Sequence, residues 1–202
     1  MSGLGYTTIF SLKGGVGKSS ISAAIILALS DEGEKVPVIT NDSISPLEDI
    51  LGKERALVLK PEQPFPEMDR EEDVLIDLGG FVDERSIPVL KQSKQIVVPT
   101  VCSYLGLHGL FSTLREIEPF NTEITIVLNQ VDKKEVETSI QAIREQGFNY
   151  PIFKIKSSKA FENLQFQQKS IGQMMEDEPL RKRSYKEVQS QLTELIQHLK
   201  GV

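Results

Sequence analysis

The sequence predicts an α/β protein in which a doubly wound, mostly parallel sheet carries helices on both faces. Short apolar runs alternate along the chain with segments of helical periodicity. The apolar runs are continuous, as expected for strands that are buried on both sides of a parallel sheet. A glycine-rich run, residues 13–20, lies between the first strand and the first helix. With 202 residues, the chain is predicted to form one domain over positions 1–202.

The predicted strands are short and rich in aliphatic and β-branched residues. Pro37 restricts the start of the second strand, because proline cannot donate a hydrogen bond within a sheet. A further apolar run, Ala56–Leu59, is left unassigned. In chain order the strands are Tyr6–Phe10, Val36–Thr40, Val74–Leu78, Gln95–Pro99, Ile124–Leu128 and Pro151–Ile155.

Helices are predicted between and after these strands. One is predicted to begin at Ser45-Pro46, with Ser45 as the N-cap and the proline in the first turn. The stretch 61–73 has three prolines and many acids, which predicts an exposed loop. The remaining predicted helices are Ile21–Leu29, Leu105–Ile117, Lys134–Glu145 and a last helix that opens at Arg181-Lys182-Arg183.

The last helix has an apolar stripe with two interpretations. A surface membrane anchor would carry lysines beside its bulky apolar residues, but only His198 and Lys200 follow Lys186 on the polar side. A helix that packs on the core is therefore the better interpretation, and membrane binding is not expected. The stripe consists of Val188, Leu192, Leu195, Ile196 and Leu199.

Composition excludes several classes of protein. No run approaches the ~18 apolar residues of a membrane span, and no signal-peptide pattern is present, so a cytoplasmic protein is expected. The single cysteine, Cys102, excludes a disulfide framework or a multi-cysteine metal site within one chain. The net charge of −6 disfavours an obligate nucleic-acid binder. However, residues 1–131 carry 11 basic and 19 acidic residues, whereas 132–202 carry 12 basic and 10 acidic ones.

The run Lys13–Ser20 is predicted to be a phosphate-binding loop. Backbone N–H groups at a helix N-terminus attract phosphate, and glycines let the backbone approach it closely. Lys18 is expected to neutralise the β- and γ-phosphates, and the Ser19 hydroxyl is expected to bind Mg²⁺. The predicted nucleotide contacts here are Gly14, Gly15, Val16, Gly17, Lys18, Ser19 and Ser20.

One residue departs from the usual phosphate-loop pattern, because Leu12 stands where that pattern has glycine. The alternative is a glycine-rich turn before an ordinary helix. The sequence Gly-Lys-Ser between a strand and a helix favours the phosphate loop.

The run Lys-Gly-Gly-Val-Gly-Lys-Ser resembles the deviant Walker A box of the ParA/MinD family of partition and positioning ATPases. The chain is most similar to the short ParA type, which lacks an N-terminal helix-turn-helix extension. The resemblance implies ATP and Mg²⁺ as cofactors and a homodimer in the ATP-bound state. It also implies that Lys13 is catalytic and reaches the partner subunit's nucleotide, where a second cation would stabilise charge on the leaving group.

The family's Asp-x-Asp-Pro-Gln motif is only partly kept. The corresponding stretch is Thr40-Asn41-Asp42-Ser43-Ile44, in which Asp42 alone matches an acid. The resemblance implies that Asp42 is catalytic and orients the attacking water. From local sequence alone, an N-terminal cap of the following helix is an equally good interpretation of Asp42.

Val74–Gly80 resembles the family's Walker B strand. Asp77 is predicted to hold Mg²⁺ opposite Ser19, and Gly79 and Gly80 are predicted to let the backbone approach the γ-phosphate. An ordinary strand-end turn is the alternative. Asn129 ends a later strand, where the resemblance implies that its amide contacts the adenine edge; here the alternative is a turn residue.

Basic residues in the second part are candidates for nonspecific DNA binding, which in partition-type members of this family accompanies the ATP dimer. A solvated helix face is the alternative, because Glu176-Asp177-Glu178 lies just before the cluster. The candidates are Lys156, Lys159, Arg181, Lys182, Arg183 and Lys186.

These features together predict an ATPase whose Mg·ATP-dependent dimer positions or segregates DNA, or another cargo, over the nucleoid. Hydrolysis is expected to be slow and to be stimulated by a small ParB-like adaptor. Two alternatives stay open: a MinD-like ATPase at a membrane surface, and a nucleotide-binding switch that hardly hydrolyses ATP, which Thr40 and Ser43 suggest. The cluster-carrying branch of the superfamily is disfavoured by the single cysteine.

Overall fold

The computed structural model describes residues 3–202, apart from the side chain of Lys133. The predicted strands form one parallel sheet, and the unassigned run at Ala56 contributes an edge strand. The strands are β1 (Tyr6–Ile9), β2 (Val38–Thr40), β3 (Ala56–Val58), β4 (Val74–Asp77), β5 (Gln95–Val101), β6 (Ile124–Val131) and β7 (Ile152–Lys156). Their order in the sheet is β3-β2-β4-β1-β5-β6-β7.

Helices follow most strands, as expected for parallel crossovers. A 3₁₀ turn, Pro179–Arg181, leads into the last helix. The helices are α1 (Lys18–Asp31), α2 (Leu47–Leu51), α3 (Ser86–Gln92), α4 (Tyr104–Ile117), α5 (Lys133–Glu145), α6 (Ala160–Gln167), α7 (Ile171–Asp177) and α8 (Lys182–Lys200).

The helices cover both faces of the sheet, so the doubly wound prediction is confirmed. Helices α1, α2, α6, α7 and α8 contribute to one apolar cluster, and α3, α4 and α5 contribute to the other. The apolar stripe of α8 is buried in the first cluster, which confirms that this helix packs on the core. No helix within residues 3–202 combines the length and apolar character needed to cross a membrane.

Two features differ from the sequence-based expectations. Ser45 does not cap α2, because the helix begins at Leu47 and Pro46, which has no side-chain donor or acceptor, occupies the N-cap position. The short helices α3, α6 and α7 were not predicted. Helix α7 had a usable signal, because Ser170 and Gln173 form a reciprocal capping box at its start.

The sheet topology places the glycine-rich loop near the middle of the edge formed by the carboxyl ends of the strands. Strand β1 lies between β4 and β5, and the chain crosses from one side of β1 to the other between those two strands. The carboxyl ends of the parallel strands meet at this edge, and such a crossover point is the usual ligand crevice of an open α/β sheet.

Candidate nucleotide-binding site

The loop between β1 and α1 has the backbone of a phosphate cradle. Gly15 and Gly17 have φ angles of 75° and 93°, which side chains rarely adopt. Gly17 is also the N-cap of α1 and leaves its first turn without a side-chain cap. A Cβ atom added at Gly14 or Gly15 would meet nothing within 4 Å, so the front of the loop is open.

Asn129 locks the back of this loop. The buried amide donates from Nδ2 to the carbonyl oxygen of Val16 at 2.8 Å, and its Oδ1 accepts the N–H of Gln130 at 2.9 Å. A Cβ atom on Gly17 would lie 2.2 Å from Nδ2, so this contact requires glycine there. Asn129 thus has a loop-holding role that sequence reasoning did not foresee.

A small cavity lies beside the same asparagine. It has a volume of about 250 Å³ and is lined by Ser20, Asn129, Phe161 and Gln165 among others. Gln165 of α6 donates to the Ser20 hydroxyl at 2.9 Å, which joins the cavity wall to the first turn of α1. The cavity lies next to the phosphate loop, and the adenine-contacting role of Asn129 stays a prediction.

Ser19 and Asp77 come together as the sequence predicted. The Ser19 hydroxyl donates to Oδ2 of Asp77 at 2.7 Å across the gap between α1 and β4. Asp77 is almost fully buried, and burial raises its pKa to about 6, although the Ser19 hydrogen bond and the charge of Lys18 lower it. A nearby cation would stabilise the ionised form of this buried carboxylate.

The residues present fit Mg²⁺. Oδ1 of Asp77 is buried and has no hydrogen-bond partner among the described residues, so one carboxylate oxygen is left for another ligand. A hydroxyl and a carboxylate are oxygen ligands of the kind that Mg²⁺ prefers, with phosphate oxygens and water completing its shell. Ser19 and Asp77 are therefore the residues that would hold the ion.

Asn41 is a site residue that the sequence did not single out. Its Oδ1 accepts the backbone N–H of Gly79 at 2.7 Å, which ties the end of β2 to the turn after β4. Gly80 follows in that turn, and a Cβ atom there would lie 3.4 Å from the carbonyl oxygen of Leu12. Gly80 therefore lies against the backbone that leads into the phosphate loop, whereas Gly79 is held by Asn41. The role of the two glycines at the γ-phosphate stays a prediction.

Asp42 lies close to this centre but makes a local contact. Its Oδ1 accepts the N–H of Ile44 at 3.1 Å, and its charge helps to raise the pKa of Asp77. It does not cap α2, whose N-cap is Pro46. The bond to Ile44 does not exclude a role at the site beside Asp77. The catalytic role of Asp42 therefore stays a prediction.

Lys13 is exposed at the mouth of the loop, whereas Lys18 is partly buried in the first turn of α1. The aliphatic stem of Lys13 lies against Gly109 of α4, where a Cβ atom would be 2.9 Å from the Cβ of Lys13. The two lysines of the motif are thus held by different helices.

The predicted DNA-binding residues are only partly brought together. Arg183 and Lys186 line a groove of about 670 Å³ between β7 and α8, together with Lys154. Lys156 pairs with Glu187 at 2.8 Å, and Arg181 pairs with Glu178 at 2.7 Å, which partly neutralises these two cations. Lys182 is exposed at the start of α8, and Lys159 is the exposed N-cap of α6.

A model of the CobQ/CobB/MinD/ParA nucleotide-binding domain matches residues 7–171 of the chain. This span contains the phosphate loop, Asp77 and Asn129. No curated protein sequence matches the chain.

Solved structures with the same fold are distant in sequence. A single-substitution variant of McdA of Cyanothece, in complex with ATP, is 16% identical, with a TM-score of 0.69 over 97% of this chain and 96% of that chain. MinD of Pyrococcus horikoshii with Mg-ADP is 15% identical, with a TM-score of 0.60 over 81% and 86% of the two chains. A putative plasmid partition protein of Borrelia burgdorferi bound to AMPPNP is 14% identical, with a TM-score of 0.58 over 81% and 89%.

Proposed function

Because the chain belongs to the CobQ/CobB/MinD/ParA family of nucleotide-binding domains, we propose that it is a ParA-type ATPase. In this proposal the chain is cytoplasmic and dimerises when it binds Mg·ATP. The dimer positions or segregates DNA, or another cargo, over the nucleoid. The observation that carries the proposal is Lys13, which is exposed beside the open side of the phosphate loop.

Each loop element has a defined task in ATP binding. The uncapped N–H groups at the start of α1 and the ammonium group of Lys18 would bind the phosphates. Ser19 and Asp77 would hold Mg²⁺, which neutralises phosphate charge when it is bound. Asp42 would orient the attacking water, and the cavity beside Asn129 would take the base.

The surface around the loop supports a second copy of the chain as the partner. Four large apolar side chains, here called the apolar rim, are 88%, 48%, 83% and 67% exposed at this edge of the sheet. They follow β2 and β4 on one side of β1 and β5 on its other side. In the proposed dimer, a facing copy would cover these side chains while bringing its own Lys13 to the nucleotide. The rim consists of Ile44, Phe81, Tyr104 and Leu105.

The groove between β7 and α8 supports nonspecific DNA as the second partner. Lys154, Arg183 and Lys186 line it, and cations arranged along one groove suit a phosphate backbone. Glu187 and Glu194 also line this groove, so each copy alone would bind DNA weakly. A dimer would double the contacts, which links DNA binding to ATP.

A nucleotide-binding switch with little hydrolysis is the second candidate. Buried Thr40 stands at one acidic position of the family motif, where its hydroxyl oxygen accepts the N–H of Asp42 at 3.1 Å. With only Asp42 left as an acid in that motif, slow hydrolysis is expected. A small ParB-like adaptor would then be needed to stimulate the reaction.

Four measurements on the wild-type chain test the proposal, and the fourth is binding to anionic liposomes with and without ATP. Light scattering with and without Mg·ATP measures dimerisation, and DNA shift assays at about 50 and about 200 mM salt measure electrostatic binding. Phosphate release with and without DNA measures hydrolysis. An ATP-dependent dimer that binds DNA in a salt-sensitive way supports the ParA type. ATP-dependent binding to anionic liposomes without DNA binding supports the MinD-like alternative, and dimerisation without phosphate release supports the switch.

A further inference from the structure

We propose that helix α4 is the positioning element for Lys13, through Gly109 and Thr113. This inference rests on the proposed role of Lys13 in the partner's site, and it assigns the residues that set the direction of that lysine.

The first contact is steric. A Cβ atom on Gly109 would lie 2.9, 3.3 and 3.5 Å from the Cβ, Cγ and Cδ atoms of Lys13. Three consecutive stem atoms therefore lie in the notch that the missing side chain leaves on α4. Because the Cβ of Lys13 is fixed to the backbone, an alanine at Gly109 cannot be accommodated by rotating the flexible end of the lysine.

The second contact holds the backbone just before the lysine. Thr113 lies one turn after Gly109 and is fully buried. Its Oγ1 accepts the N–H of Leu12 at 3.1 Å and donates to the carbonyl oxygen of Gly109 at 2.7 Å. One hydroxyl group thus holds both the backbone just before Lys13 and the turn of α4 that contains Gly109.

The requirements of the helix do not explain this glycine. Glycine lowers helix stability relative to alanine, and α4 has ordinary helical dihedrals at Gly109. The notch instead restricts a long, exposed side chain before a partner arrives. Such pre-organisation strengthens binding because fewer conformations are lost on association.

The test compares two helical glycines. Gly109→Ala should keep its affinity for Mg·ATP within about twofold, but it should lose ATP-dependent dimerisation and about ten- to a hundredfold of partner-stimulated hydrolysis, as expected for a misplaced catalytic group. Gly172→Ala is the matched control, because a Cβ atom in α7 would meet nothing closer than 3.5 Å. This control should behave like the wild type.

The Thr113 variants test the second contact. Thr113→Val keeps the shape but removes the acceptor for Leu12, so it should reduce dimerisation in the same way as Gly109→Ala. Thr113→Ser keeps the hydroxyl and should retain dimerisation. If Val and Ser behave alike, the hydroxyl does not position Lys13.

A double variant separates this inference from the function on which it rests. Adding Gly109→Ala to Lys13→Ala should cause no further loss of dimerisation, because the ammonium group that Gly109 positions is already absent. If Lys13→Ala dimerises like the wild type, the proposed function fails. If Lys13→Ala loses dimerisation while Gly109→Ala keeps it, or if Gly109→Ala loses ATP affinity as well, the assignment to α4 fails alone.

Discussion

The hydroxyl of Ser19 lies 2.7 Å from the carboxylate of Asp77, so the first turn of α1 and the end of β4 meet at one point. The other carboxylate oxygen is buried and has no partner among the described residues. This pair links the phosphate loop to the acid that we propose as a Mg²⁺ ligand, and we expect it to make the site sensitive to both pH and Mg²⁺.

Replacing Asp77 with Asn should stabilise the nucleotide-free protein above pH 6. Burial raises the pKa of Asp77 from 3.8 to about 6, so the folded state binds the proton more tightly than the unfolded state. Wild-type stability should therefore fall as pH rises from about 4 to about 6, by up to about 3 kcal/mol. Urea unfolding of both proteins at pH 4 and pH 7.5 measures the difference.

The same variant should weaken the effect of Mg²⁺ on ATP binding, because a neutral amide oxygen binds Mg²⁺ less tightly than a carboxylate oxygen. Calorimetry with ATP, with and without Mg²⁺, provides the measurement. Equal pH profiles for the wild type and Asp77→Asn would contradict the buried-carboxylate interpretation.

Lys18→Ala should abolish ATP binding, because phosphate charge is left uncompensated in the loop. Calorimetry with Mg·ATP is the measurement. Lys53→Ala, at an exposed lysine after α2, is the matched control and should bind like the wild type. Unchanged affinity in Lys18→Ala would rule out the phosphate-loop assignment.

Asp42→Ala should trap an ATP-bound dimer, because the residue predicted to orient water is lost while the phosphate contacts remain. Phosphate release and light scattering report the two properties separately. Asp42→Asn can keep the hydrogen bond to Ile44 and should still hydrolyse slowly, since the charge is gone. Wild-type hydrolysis in both variants would show that Asp42 only supports the turn.

Lys13→Ala, or Lys13→Gln, should keep ATP binding by the monomer but lose ATP-dependent dimerisation and DNA binding together. The two losses are coupled because weak basic grooves gain avidity only when two subunits are held side by side. Light scattering with Mg·ATP, paired with a DNA shift assay at low and high salt, tests this. A variant that dimerises and binds DNA normally would refute the role of this lysine in the partner's site.

The double variant Arg183→Ala/Lys186→Ala should weaken DNA binding equally for all sequences and keep ATP-dependent dimerisation. Each phosphate contact makes the slope of log affinity against log salt more negative by about 0.9. The magnitude of the slope should therefore decrease by about 2 per subunit. Lys53→Ala again serves as the control. An unchanged slope would mean that the groove between β7 and α8 is a solvated surface.

Sequence reasoning could find the parts of the site that are local in the chain. Lys18, Ser19 and Asp77 lie at strand and helix ends, where short patterns carry the chemistry. Contacts between distant segments left no such pattern: the amide of Asn129 meets Val16 across 113 positions, and Thr113 meets Leu12 across 101. The bond between Asn41 and Gly79 likewise joins segments that are 38 positions apart.

The bond from Asn129 to Val16 also bears on the order in which the protein matures during synthesis. The phosphate loop is made near the start of translation, but the amide that locks it belongs to β6 and emerges from the ribosome more than a hundred residues later. A nascent chain that ends before β6 therefore carries the glycine-rich segment without its lock. We expect the growing polypeptide to become able to retain ATP only late in translation, so the nucleotide cannot guide the earliest steps of co-translational folding.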